Sequence, residues 1–203
     1  FFTRFGLFVR RGFLEPEACA ALRETAAQSR SEAATVYVGD DYGLDPDVRR
    51  TRWCHVPPEA LLPFQRRLSE LLPELADHFG EPLRGMQRPQ VLRYEVGDFF
   101  APHSDRHAHG AERAARVGRQ RRVSTILFLN DDRLAPDAGG YRGGALSFYG
   151  LLGPEGGGIG LPLEPETGLL VAFPSALVHG VAPVTAGERH SLVTWLTRRS
   201  PGS

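Results

Sequence analysis

Val123-Ser-Thr-Ile-Leu-Phe-Leu129, closed by Asn130-Asp131-Asp132, is a nearly continuous apolar run that ends on turn formers. A run this short, rich in β-branched and aromatic residues, reads as a buried strand rather than a helix. It has company on both sides. Gln90-Val-Leu-Arg-Tyr-Glu-Val96 alternates weakly and reads as a strand, as do Gly144-Ala-Leu-Ser-Phe-Tyr149, Gly168-Leu-Leu-Val-Ala-Phe173 and His190-Ser-Leu-Val-Thr-Trp-Leu196. Gly- and Pro-rich turns separate them, with no helix between. Such a series argues a β-sandwich or barrel.

Upstream the pattern changes. Gly6 to Phe13 reads as a short entering strand. Glu15-Pro16-Glu17 opens a helix that runs to about Ser29, with acidic residues in its first turn. Residues 35–57 read as a long loop with room for one strand. From Pro58 to Phe79, Leu61, Phe64, Leu68, Leu71, Leu72 and Leu75 fall at helical spacing, with Pro73 a break or kink. The expectation is one mainly β domain over residues 1–203, with a helical N-terminal part to about 85 and a β core over about 88–197. Residues 106–122, rich in arginine and histidine, and the glycine-rich residues 150–162 read as long surface loops; the basic one leaves directly from the motif described next.

Composition narrows the chemistry. The 203 residues are 41% hydrophobic and 24% charged with zero formal net charge, so no global field points to nucleic acid or an anionic membrane. No apolar run approaches the roughly 20 residues of a membrane span. Phe1-Phe2-Thr3-Arg4-Phe5 lacks a signal-peptide layout, and Cys19 and Cys54 lack CxxC spacing. Two reduced thiols in a cytoplasmic protein are the expectation. All 24 basic residues are arginine. A lysine Schiff base and a P-loop lysine are thereby excluded, and any carboxylate anchor must be arginine.

His103-Ser-Asp105 carries the candidate chemistry. On an extended segment, side chains two apart face the same way, so both can reach one ion. Alone, HxD is a common surface tripeptide. His179, in Phe173-Pro-Ser-Ala-Leu-Val-His179-Gly-Val, follows an apolar strand that can aim it into a barrel, and Arg189 lies ten residues beyond. Two histidines and one carboxylate make the facial triad of non-haem Fe(II) oxygenases. A histidine pair with an acid also suits hydrolytic zinc. His107 and His109 lie in the basic loop without a strand to fix them, and His55, His78 and His190 have no partner at ligand spacing.

The ordered set Tyr94, His103-x-Asp105, Gly143-Gly144-x-Leu146, His179, Arg189 and Trp195 resembles the 2-oxoglutarate- and Fe(II)-dependent dioxygenases, most closely their prolyl 4-hydroxylase-like branch, over roughly residues 88–197. The resemblance implies a double-stranded β-helix, a cupin-like jelly roll with iron between its sheets. It implies His103, Asp105 and His179 as iron ligands and Arg189 as the partner of the C5 carboxylate of 2-oxoglutarate, a bidentate task that suits a guanidinium fork. It puts Tyr94 beside the same carboxylate and Trp195 on the pocket wall. Phe128 stands where some relatives have a second 2-oxoglutarate-binding tyrosine; it cannot donate that hydrogen bond, and Ser124 on the same strand face offers a substitute hydroxyl. The cofactors so implied are Fe(II), 2-oxoglutarate and O₂, with ascorbate as a candidate reductant. The products are succinate, CO₂ and a hydroxylated C–H bond of a prolyl residue or amino acid, and Asp105 argues against halogenation. The substrate would be a small molecule or a peptide, with nucleic acid and membrane excluded as partners. Arg49, Arg50, Arg52 and Trp53 fall near the implied substrate mouth, where arginines would read an acidic group or lie exposed. The competing readings are a non-catalytic cupin-type binder of a small ligand or metal, and an interaction domain with a fortuitous HxD.

Overall fold

The computed structural model describes residues 2–38, 41–106, 120–153, 156 and 158–198. Two antiparallel sheets face each other. In the larger, the strands run in the order Phe8–Arg10, Leu170–Pro174, Arg121–Phe128, Arg189–Thr197, Gln90–Tyr94, Arg52–Cys54 and Ser31–Ala33, with Gly85–Met86 also paired to Arg189–Thr197. The smaller runs Leu161–Leu163, Leu146–Phe148, His179–Val181, Phe99–His103 and Arg49–Arg50. This mainly β, jelly-roll arrangement with two flanking helices agrees with the expected fold class.

Period-2 alternation explains how one sheet serves two cores. Val123, Leu127, Leu170, Ala172, Leu192 and Leu196 face the helices, while Ile126, Phe128, Val171 and Phe173 face the other sheet, where they meet Leu146, Phe148, Leu163 and Val181. The central strands are buried on both faces, which is why they read as nearly continuous apolar runs.

Helix α1 (Pro16–Gln28) and helix α2 (Leu62–Phe79) cover the outer face. Phe64, Leu68 and Leu75 of α2 are fully buried. Each such side chain contributes roughly 1.5–3 kcal/mol of apolar burial. Pro73 does not break α2 as expected. It sits on the exposed face, as does Ser69 one turn earlier, so the carbonyl it leaves unbonded can turn to water. Gly80 ends the helix at φ +61°.

Residues 35–57 depart most from expectation. Residues 31–54 contain five short strands: Ser31–Ala33, Val36–Val38, Asp41–Gly43, Arg49–Arg50 and Arg52–Cys54. At two or three residues each they carry no readable alternation; distant or equally short strands supply the pairing, Val36–Val38 with Asp41–Gly43 and Ser31–Ala33 with Arg52–Cys54. Around Thr51 the chain crosses between sheets, Arg49–Arg50 pairing with Phe99–His103 and Arg52–Cys54 with Gln90–Tyr94. The crossing brings Arg49 and Trp53 to the lining of one cavity. Most of the basic loop, including His107 and His109, lies outside the described residues, as do Pro154, Glu155 and Gly157 of the glycine-rich loop.

Candidate active site

Pairing of two small-sheet strands builds the site. His103 ends Phe99–His103 and His179 begins His179–Val181, and the two are direct cross-strand partners. Asp105 follows two residues after His103, and one ligand atom from each of the three lies within 4.8 Å of the others. His103 Nε2 is 3.6 Å from Asp105 Oδ1, and His179 Nε2 is 3.5 Å from Asp105 Oδ2. Each histidine turns its Nδ1 to the carbonyl two residues back, His103 to Ala101 and His179 to Leu177, both at 3.0 Å. A carbonyl only accepts, so Nδ1 carries a proton in each ring, and in the neutral form the lone pair is left on Nε2, the atom that faces Asp105. This is the tautomer a metal ligand needs.

The charges agree. Burial pushes the Asp105 carboxyl up, but His179 and His103 beside it prevail and hold it well below the usual carboxylate range. Burial pushes His179 down to about 4, with Asp105 acting against it, so the imidazole is neutral at physiological pH. Asp105 is also anchored: Ser124 donates to its Oδ2 at 2.6 Å, and Ser124 Oγ lies 2.9 Å from Ser175 Oγ. A hydroxyl has one proton, so the Ser175 proton must point back to Ser124. Ser124 was expected to serve a cosubstrate; its hydroxyl is spent instead on Asp105. Ser175 had no readable signal, being one of many serines in turns.

Arg189 opens the longest strand of the large sheet and is only 1% exposed. Its guanidinium carbon lies 5.1 Å from the Tyr94 ring centroid and 5.2 Å from that of Phe128. Nη1 donates to Ser191 Oγ at 3.2 Å, whereas Nε and Nη2 have no hydrogen-bond partner among the described residues. A buried cation with two idle donors is costly unless an anion completes it. Asn130 brackets the residue, donating to the Glu188 carbonyl at 2.7 Å and accepting from the His190 amide at 2.8 Å. The sequence marked Asn130 only as a turn former. Gly144, at φ +61°, explains the Gly-Gly pair: a Cβ there would stand 2.9 Å from Arg189 Cδ.

A cavity of about 290 Å³ opens beside the triad. Tyr94, Ser124 and Trp195 line it with His103, Asp105 and His179, while Arg189 lies behind Tyr94. Of the remaining histidines described, His55 pairs with Glu32 at 3.0 Å, His78 contacts the Gly6 carbonyl at 3.2 Å, and His190 is buried on the helix-facing side of its strand. None of them joins the triad.

The residues fit the group their chemistry suggests. Two imidazoles and a carboxylate form a donor set for a divalent first-row metal with open positions. The idle donors of Arg189 fit the far carboxylate of a keto-diacid.

Residues 89–197 match the family model of the 2OG-Fe(II) oxygenase superfamily. Prolyl 4-hydroxylase 1 of Arabidopsis thaliana is 27% identical over 96% of this chain and 69% of its own length. A PKHD-type hydroxylase of Maricaulis maris is 34% identical over 58% of this chain but only 45% of its own length, so the chain spans less than half of that relative. The crystal structure of a Pseudomonas putida prolyl-4-hydroxylase superposes with a TM-score of 0.71, covering 98% of this chain and 95% of that one at 23% identity, a likeness of fold. The chain belongs to the 2OG-Fe(II) oxygenase superfamily and is an Fe(II)- and 2-oxoglutarate-dependent oxygenase.

Proposed function

We propose that the chain hydroxylates an unactivated C–H bond of a prolyl residue or an amino acid, with His103, Asp105 and His179 as the iron ligands. The carrying observation is the convergence of two imidazole Nε2 atoms and an anchored carboxylate, one ligand atom of each within 4.8 Å of the others. Iron, 2-oxoglutarate and O₂ supply the oxidising power, and succinate and CO₂ leave. Asp105 occupies the position that a halogenase leaves open, which favours hydroxylation. Ascorbate is the proposed reductant for keeping iron ferrous.

The protein's own residues bind, orient and exclude water. Arg189 grips the C5 carboxylate through Nε and Nη2, with Tyr94 packed on the guanidinium. Ser124 holds the Asp105 carboxylate in one orientation, and Trp195 walls the pocket. The prolyl or amino-acid target is favoured by the names of the relatives, one of them a prolyl 4-hydroxylase over nearly the whole chain. Residues 1–203 then act as a single catalytic domain. Among the described residues no helix is long and apolar enough to cross a membrane. Two free, buried cysteines support a reducing compartment such as the cytoplasm, and the substrate is a small molecule or peptide rather than nucleic acid or membrane.

Fe(II)-dependent formation of succinate from 2-oxoglutarate, with a +16 mass shift on prolyl peptides or free amino acids, tests the proposal. His179→Ala should reduce turnover to background. A His179→Ala protein as active as the parent would remove His179 from the iron site.

A further inference from the structure

The cavity beside the triad is more cationic than the proposed cosubstrate requires. Among the described residues, its charged lining besides the triad is Arg49 and Arg121, and Asp105 is the one carboxylate. Asp105 is committed to the two imidazoles and Ser124. Given the iron and 2-oxoglutarate site proposed above, on which this inference rests, Asp105 and the chelating C1 carboxylate balance a divalent ion, and Arg189 takes the C5 carboxylate. Two guanidinium groups are left over. Among the described residues neither forms an ion pair with a carboxylate.

Both are held, and both keep donors in reserve. Arg49 Nη1 donates to the Thr35 carbonyl at 2.8 Å and the guanidinium also hydrogen-bonds the Tyr94 hydroxyl, while Nε is buried with no hydrogen-bond partner among the described residues. The Arg49 guanidinium carbon lies 4.5 Å from the Phe100 ring centroid, and Phe100 stacks on His103 at 3.5 Å. Laid end to end, those spacings put it within about 8 Å of the His103 ring. Arg121 approaches from the other side. It packs 3.6 Å over Trp195, donates from Nε to Gln87 Oε1 at 3.1 Å and directs Nη1 at the Asp105 backbone carbonyl, 3.5 Å away. Two cations, one from each sheet, therefore line one cavity with the triad, and its wall also offers the apolar Trp53, Ile126, Val193 and Trp195. An apolar wall with two fixed guanidiniums suits a ring or alkyl group that carries an anion.

We propose that the substrate carries a carboxylate close to the oxidised carbon, gripped by Arg49 with Arg121 opposite. The carboxylate is either the α-carboxylate of the target unit itself or an acidic side chain next to it in a peptide.

Calorimetry on the full chain with Mn(II) and saturating 2-oxoglutarate tests this without turnover. The probes are two pairs: N-acetyl-L-proline against its methylamide, and the peptide acetyl-Ala-Pro-Asp-amide against its Asn counterpart. The acid of one pair should bind roughly tenfold or more tighter than its neutral partner, in keeping with a charge-assisted hydrogen bond. The pair that discriminates identifies the source of the carboxylate. Arg49→Gln should cut the preference to about twofold or less, and Arg49→Lys, which keeps the charge, should retain part of it; thermal melts establish that each variant is folded. No acid preference in either pair overturns the proposal. So does a preference that survives both Arg49→Gln and Arg121→Gln. Titration of 2-oxoglutarate alone separates the two readings. If the Mn(II) parent fails to bind it, the cosubstrate site falls and this inference with it. If Arg49→Gln weakens 2-oxoglutarate as much as Arg189→Gln while leaving probe preference intact, Arg49 belongs to the cosubstrate and only this inference fails.

Discussion

Replacing Arg189 by methionine should make the ligand-free protein more stable while abolishing its response to 2-oxoglutarate. The guanidinium is 1% exposed, and two of its nitrogens have no partner among the described residues. Each idle buried donor costs about 1–3 kcal/mol. Against that stand hydrogen bonds with Ser191 and Tyr141, about 1 kcal/mol each, and contacts with the Tyr94 and Phe128 rings, about 0.5–1 kcal/mol each. Methionine has similar volume and leaves no large cavity, and apolar replacement of buried charge is often neutral or stabilising by about 1–4 kcal/mol. A net gain of about 1 kcal/mol follows, or roughly 2–4 °C in Tm for a domain of this size. With Mn(II) present, 2-oxoglutarate at a hundred times its Kd should stabilise the parent by about 2.7 kcal/mol. Loss of a charge-assisted carboxylate anchor, about 2–5 kcal/mol, removes that shift in the variant. Differential scanning calorimetry with and without 2-oxoglutarate reads both effects. If the ligand-free variant is destabilised by more than about 2 kcal/mol, or if it still responds to 2-oxoglutarate, Arg189 is a structural cation already satisfied by the fold.

Three further outcomes are expected. Ser124→Ala removes the 2.6 Å bond to Asp105 and should weaken metal binding by roughly 10–100-fold at near-normal stability, measured by Mn(II) titration; unchanged affinity would show that the carboxylate holds its orientation unaided. Gly144→Ala puts a Cβ 2.9 Å from Arg189 Cδ at a φ of +61° and should raise the 2-oxoglutarate Kd more than it alters metal affinity, since the damage falls on the anchor; equal losses would contradict that. Stability should fall as pH drops below neutral. Burial, helped by Arg23 and Arg93, pushes His190 down to about 4 from an unfolded value near 6.5. Between those values the unfolded chain binds the extra proton, so the contribution is complete above about pH 6.5 and is lost as pH falls towards 4. At about 1.4 kcal/mol per pH unit this amounts to about 2 kcal/mol at pH 5. His179 acts in the same direction in the metal-free protein, so the test is urea denaturation of Mn(II)-loaded parent and His190→Gln; parallel pH profiles would refute the assignment to His190.

The sequence by itself determined the strand series of the core and the residues able to do chemistry. Strands such as Arg121–Phe128 and Arg189–Thr197 are long enough for apolar content and alternation to declare them, and α2 for its spacing to show through Pro73. His103-x-Asp105, His179 and Arg189 were legible because few side chains can hold a metal or a carboxylate, and their order restricts how they meet. Tertiary structure decided everything that depends on distant partners. Arg49–Arg50 and Arg52–Cys54 exist as strands because the longer Phe99–His103 and Gln90–Tyr94 pair with them, and that pairing turns Arg49 from one member of a basic run into a lining residue of the cavity. Pairing of His103 with His179, the Nδ1 bonds that select their tautomer, the diversion of Ser124 to Asp105 and the clamp of Asn130 around Arg189 span from two to more than 70 residues of chain. Hydrogen bonds act over about 3 Å of space whatever the separation in sequence, so local pattern can nominate such groups but only the fold can join them.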